Sequence, residues 1–219
     1  MTSSRQRPRA LVFDWDNTLI DSWPAIHDAN NHTLESFGLP PWTFEETKAR
    51  VRKSMRDSYP ELFGDRWEEA GRVFYERFAA RHLVTVTPLP GAEAMLAALR
   101  AAGFYLGVVS NKKGDYLRDE ARHLGWDGFF GRIVGAFDAD RDKPAPEPVY
   151  LALEGSGVQA GPDVWFVGDT GVDMECGLNA GCIPVLVRET PPIDEEFSAF
   201  PPAIHVGSCE ALSILVRSL

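Results

Sequence analysis

The chain reads as an α/β protein, a parallel-sheet core interrupted early by an all-helical insertion. Three observations predict this. Short apolar runs at residues 10–13, 104–109 and 164–167 each end in polar residues, as strands buried on both faces do. Amphipathic segments long enough for helices separate them, and parallel strands need such crossovers. No strand pattern occurs between Ile20 and Leu83.

Taken in order, residues 1–8 read as a leader and 10–14 as the first strand. Asp21 or Ser22 caps a helix with Pro24 in its first turn, running to Phe37 and stopped by Gly38. From Trp42 to about Leu83 the pattern is helical, with Thr43 and Glu46 spaced as a capping box. Trp23, Phe37, Trp42, Tyr59, Phe63 and Trp67 in this block read as packing residues. Beyond Pro90-Gly91 the alternation resumes: helix 92–102, strand 104–109, helix 115–124, strand 132–137, helix 147–154, strand 164–167, helix 173–180, strand 183–187 and a final helix 210–219. The expected organisation is a core of residues 1–20 and 86–219 with a helical insertion of 21–85, hinged near 20–22 and 85–89.

Composition narrows the function classes. An apolar fraction of 44% over 219 residues suffices for a substantial core. A net charge of −10 disfavours nucleic acid and anionic membrane as partners, so an anionic substrate must meet local cations. Only five lysines are present, Lys48, Lys53, Lys112, Lys113 and Lys143. Cys176, Cys182 and Cys209 lack metal-ligand spacing and read as small apolar residues in a reduced, cytoplasmic compartment. The start, MTSSRQRPRA, holds no signal-peptide run, and no window matches a membrane span. The five histidines are widely spaced and suggest no ligand pair.

The stretch Asp14-Trp15-Asp16-Asn17-Thr18 carries the chemistry. Two carboxylates two residues apart at a strand end repel each other, so a cation or a shared proton is expected between them. Parallel strands align their carboxyl ends, and ligands bind there. Asp14, Asp16, Ser110, Asn111 and Asp169, with Lys143-Pro144 after another strand, can therefore share one crevice.

In these residues the sequence resembles the haloacid dehalogenase superfamily. Four motifs occur in that family's order: Asp14-Trp15-Asp16-Asn17-Thr18-Leu19, Ser110-Asn111, Lys143-Pro144, and Gly168-Asp169-Thr170-Gly171-Val172-Asp173. The resemblance implies a Rossmann-like core with a helical cap after the first motif, and hydrolysis of a small phosphorylated metabolite by a phosphoglycolate phosphatase-like enzyme. It implies Asp14 as nucleophile, Asp16 as general acid and then base, and Lys143 as a neutralising cation. Ser110, by its hydroxyl, and Asn111, by its backbone N–H, would bind phosphoryl oxygens. It also implies Mg2+ held by Asp14, Asp16 through its carbonyl, and Asp169, with Asp173 as an outer ligand. The cation would offset repulsion of about 4 kcal/mol per unit charge pair about 4 Å apart at an effective dielectric near 20. Dehalogenases of this fold lack an acid at the Asp16 position, so Asp16 favours phosphoryl transfer. Thr18 is expected to bond backbone in the loop and to touch no substrate.

Arg50, Arg52, Lys53 and Arg56 form a basic cluster in the insertion, where a helix would place Arg52, Lys53 and Arg56 on neighbouring faces. They are candidates to grip a second anionic group, against a solvated face balanced by Glu45, Glu46 and Asp57. Alternatives that stay open are a β-phosphoglucomutase-like phosphomutase, a phosphonoacetaldehyde hydrolase using Lys48 or Lys53, and a non-catalytic phosphate-binding regulator. Oligomeric state is not legible.

Overall fold

The strand β1 (Ala10–Phe13) is wholly buried and pairs in parallel on both sides, with β4 (Tyr105–Lys113) and β6 (Val164–Gly168). Ala10 faces Tyr105 on one side and Val164 on the other. Beyond them lie β5 (Arg132–Ala136), β7 (Ile183–Val187) and β8 (Ile204–Val206), giving the parallel order β5-β4-β1-β6-β7-β8. The chain fills one side of β1 and then crosses to the other, so the strand order reverses around β1. A crevice for ligands lies at such a point. The computed structural model describes residues 7–51 and 54–219.

Alternation along β1 explains its burial. Ala10 and Val12 join a cluster with Val149, Ala152 and Leu153 of α8 (Glu147–Leu153) and Cys176 of α9 (Gly171–Asn179). Leu11 and Phe13 point the opposite way and are equally inaccessible, so both faces of the sheet are covered. The other core helices are α6 (Ala92–Ala101), α7 (Gly114–His123), α10 (Asp194–Phe197) and α11 (Cys209–Arg217). All three cysteines are free and buried, as small apolar residues are. No helix among the described residues is long and apolar enough to cross a membrane.

The chain divides into two compact units, one of residues up to Ile20 with Pro88–Leu219 and the other of Asp21–Thr87. The second is helical: α1 (Trp23–Ser36), α2 (Phe44–Arg50), α3 (Met55–Phe63), α4 (Trp67–Ala79) and α5 (His82–Thr85). Asp21 accepts from the Trp23 amide at the start of α1, and Gly38 in the left-handed region (φ 72°) follows its end. Thr43 and Glu46 form the capping box, with Glu46 accepting from the Thr43 amide at 2.8 Å and Thr43 Oγ1 from the Glu46 amide at 3.2 Å. Phe37, Tyr59, Phe63, Phe74 and Phe78 make a chain of edge-on, tilted and stacked contacts, so Phe37, Tyr59 and Phe63 are packing residues.

Four features depart from the expectations. Two-residue strands β2 (Ile20–Asp21) and β3 (Thr87–Pro88) pair where the chain passes between the units, too short to show a period. The strand β4 does not stop at Val109: it advances from Val109 to Lys113 while β5 advances only from Val134 to Ala136. The excess residues bulge at Ser110, Asn111 and Lys112, and a bulge re-aims side chains beside a site. The strand β8 and helix α10 fill a stretch with no clear period, because an edge strand of three residues offers little pattern. Val51 ends α2 and Ser54 begins α3, so no single helix runs through this stretch to Arg56.

Replacing Thr43 with Ala should remove half of the capping box and cost about 1 kcal/mol, read as a lower urea midpoint for the transition that melts the helical unit.

Candidate active site

The loop after β1 begins the site. Asn17 takes a left-handed conformation (φ 62°), which Asn tolerates better than most residues, and its amide donates to the Ile20 carbonyl. The amides of Leu19 and Ile20 both donate to the Trp15 carbonyl. This tight turn leaves Asp14, Asp16 and Thr18 clustered at the carboxyl end of β1. Asp14 remains in the ladder through its amide, which donates to Val167 at 2.8 Å.

Lys143 lies in the segment after β5, and its amine donates to Asp14 Oδ1 at 2.6 Å and Asp173 Oδ1 at 2.7 Å. Lys143, Asp14 and Asp173 are all buried. Asparagine 111 fixes the backbone under that lysine: its Nδ2 donates to the Lys143 carbonyl at 3.1 Å and its Oδ1 accepts from the Lys143 amide at 3.0 Å. Only a carboxamide presents a donor and an acceptor in this way. The Lys143-Pro144 peptide is cis.

Asp169 follows β6, where Thr18 Oγ1 donates to its Oδ1 at 3.3 Å. Thr18 therefore bonds a carboxylate and not backbone alone, a correction that the local spacing could not supply. Asp173 lies in the first turn of α9, and its Oδ2 accepts from the amides of Asp169 and Thr170 and from Thr170 Oγ1. One oxygen of Asp173 is thus committed to shaping the loop and the other to Lys143. The backbone there is tight: a Cβ on Gly168 would lie 2.3 Å from Asp173 Cβ, which only glycine avoids.

Asp14, Asp169 and Asp173 each offer a carboxylate oxygen, and these lie within 4.8 Å of one another. Three carboxylates surround one ammonium, so the excess of two negative charges suits a divalent cation with oxygen ligands. Burial, reinforced by Asp173 and Asp16 and opposed by Lys143, raises the Asp14 carboxyl to about 7. Asp169 is also raised well above the ordinary range, by burial first and then by Asp173 and Asp14. For Lys143, burial alone would lower the pKa, but Asp14 and Asp173 outweigh it and hold the amine charged.

A second cation, not singled out from the sequence, sits on the other acid. Lys112 Nζ is 2.6 Å from Asp16 Oδ1 and 2.6 Å from Glu120 Oε2, and Trp15 Nε1 donates to that same Glu120 oxygen at 2.8 Å. Ser110 Oγ donates to Asp16 Oδ2 at 3.5 Å and accepts from the Lys112 amide at 3.1 Å. The scarcity of lysine was the available signal for Lys112. Of the basic cluster in the insertion, Arg56 lies half-buried in the first turn of α3, while Arg52 and Lys53 fall outside the described residues. Lys48 and Arg50 pair with Glu45 and Glu46 on the surface of α2.

A doubly covered parallel sheet that gathers carboxylates and a buried lysine where its strand order reverses defines a Rossmann-type α/β hydrolase. The haloacid dehalogenase-like hydrolase family model matches residues 11–187, and the chain belongs to that family. A phosphoglycolate phosphatase of Aquifex aeolicus is 33% identical over 79% of this chain and 81% of its own. An N-acetylmuramic acid 6-phosphate phosphatase of Pseudomonas aeruginosa is 30% identical over 82% of this chain and 84% of its own. A haloacid dehalogenase-like family hydrolase from Streptococcus pneumoniae shares the fold, with a TM-score of 0.83, 20% identity and coverage of 97% of this chain and 99% of that one. The protein is an enzyme of the phosphatase type within the family.

The raised Asp14 pKa has a signed consequence. A carboxyl whose pKa is about 7 when folded, against an ordinary 3.8, favours the folded state most below that lower value. The contribution is lost as pH rises from about 4 to about 7. Chelator-treated protein should therefore lose more thermal stability between pH 5 and 7.5 than its Asp14→Asn variant does, and adding a divalent cation at pH 7.5 should narrow that gap.

Proposed function

We propose that the protein is a magnesium-dependent phosphatase that hydrolyses a small phosphate monoester through an aspartyl-phosphate on Asp14. The observation that carries this reading is the Lys143 amine, 2.6 Å from Asp14 in a buried ring of carboxylates at the carboxyl edge of the sheet. Asp14 attacks phosphorus, and the bond to the leaving oxygen breaks. Asp16 donates the proton that the departing alcohol needs, then takes one from the water that cleaves the aspartyl-phosphate. Lys143 balances the charge of Asp14 and of the transferring group, and Asn111 keeps that lysine in register. Ser110 Oγ and the Asn111 backbone amide receive phosphoryl oxygens.

Magnesium, held by Asp14, the Asp16 carbonyl and Asp169, with Asp173 outside them, would supply positive charge against the anionic phosphoryl group. The three-to-one ratio of carboxylates to ammonium supports that assignment. Thr18 serves it by orienting Asp169. Substrate choice is assigned to the helical unit as a cap, because the core's site residues are occupied with the phosphoryl group. Arg56, with Arg52 and Lys53, is the candidate grip for a second anionic group. The names of the relatives suggest 2-phosphoglycolate and N-acetylmuramic acid 6-phosphate as the first esters to assay.

Phosphate release from p-nitrophenyl phosphate should require a divalent cation and stop on chelation. Asp14→Asn should lower kcat by at least about 10³-fold, and Lys143→Met by about 10²- to 10³-fold. Wild-type rates in Asp14→Asn would remove the covalent route. In a panel of phosphorylated metabolites, Arg56→Ala should raise KM for acidic esters while leaving neutral ones unchanged.

A further inference from the structure

Trp15, Lys112 and Glu120 form a polar string through the interior that ends on Asp16. Glu120 projects from α7 and is 1% exposed, and Trp15 is inaccessible. The Trp15 ring is wedged edge-on against Trp126 and Phe130, with centroids 5.8 and 6.2 Å away, so its N–H direction is set by the core. That N–H and the Lys112 amine converge on one Glu120 oxygen, and the amine reaches onward to Asp16. Burying an ammonium and a carboxylate costs several kcal/mol per ion before their mutual attraction is counted. A hydrophobic pair of similar volume would serve packing alone at least as well. The string therefore has a use other than stability.

We propose that Glu120 and Lys112 are positioning residues for the proton-transfer step, holding the Asp16 carboxyl where the leaving oxygen departs. Asp16 is carried by the turn after β1 and, unlike Asp14, has moved away from the strand ladder. Lys112 grips its Oδ1 from the β4 bulge, and Oδ2, which accepts from Ser110 Oγ at 3.5 Å, is the oxygen assigned to the proton exchange. Lys112 cannot hold that place by itself, because its long stem has many rotamers. Glu120, locked by Trp15, selects one. The string acts on proton donation and not on phosphoryl binding, which Lys143 and Ser110 perform. It rests on the assignment of Asp16 as general acid made above.

The leaving group separates this role from a merely structural one. A p-nitrophenolate departs without a proton, whereas the alkoxide of an alkyl phosphate needs one. The test measures kcat/KM for p-nitrophenyl phosphate and for a turned-over alkyl phosphate in the magnesium-loaded enzyme. Variants are Glu120→Gln, which is nearly isosteric, and Lys112→Met/Glu120→Leu, which removes both charges together so that no buried ion is left unpaired. In both, the ratio of aryl to alkyl kcat/KM should rise at least about tenfold over wild type, with Asp16→Asn shifting it the same way and further. An unchanged ratio in these variants beside a shifted one in Asp16→Asn overturns the positioning role and leaves the phosphatase reading intact. If Asp16→Asn itself leaves the ratio unmoved, the general-acid assignment falls first and this inference with it.

Discussion

The site depends on like charges being forced together at one edge of a sheet. Asp14, Asp169 and Asp173 come within 4.8 Å because β1 and β6 end at the same level and α9 starts just beyond, and among the described residues Lys143 is the ammonium inside that ring. Register sets this level: Phe13 is opposite Val108 on one side and Val167 on the other, so the residues that follow emerge side by side. Carboxylates crowded in a buried place resist ionisation, which is why Asp14 and Asp169 are raised despite the nearby amine. Such an arrangement persists where a cation or a bound proton relieves it, and it is poorly suited to inert packing.

Support for the ring is itself layered. Asp173 ties the α9 loop to Lys143, Thr18 ties the first loop to Asp169, and Asn111 ties the β4 bulge to the Lys143 backbone. Each tie joins segments far apart in the chain, so the site is held by the fold as a whole. The carboxylates are consequently mounted on bonded supports, and little reorganisation is needed when charge moves during reaction.

Most of the fold was legible because its strands are short apolar runs and its helices carry their own boundaries. The capping box at Thr43 and the stop at Gly38 are local chemistry, readable without neighbours. The miss at β4 had a physical cause. Ser110 and Asn111 look like a strand end by polarity, yet pairing resumes at Lys113 opposite Ala136, and that decision belongs to β5. The ribbon of β2 and β3 and the edge strand β8 are too short to show a period. Among the site residues, Asp14, Asp16 and Asp169 stood out because charge at the end of an apolar strand is expensive, and Lys143 because lysines are few and it stands in the family's motif order. Lys112 and Thr18 did not, since nothing adjacent to them in sequence reveals their partners.

The sequence by itself determined which residue types lie at which strand ends, and hence that an acidic, lysine-bearing crevice would form on a parallel sheet. Strand period, caps and charge act over a few residues, and for that reason they can be read in one dimension. Only the tertiary structure decided that Asn111 grips the Lys143 backbone and that Thr18 turns to Asp169. It alone brought Lys112 between Asp16 and Glu120. Those contacts join residues separated in the chain by 32, 151 and, for Lys112 and Glu120, 8 positions. Hydrogen-bond geometry at such contacts is set by how a bulge and two loops meet in space.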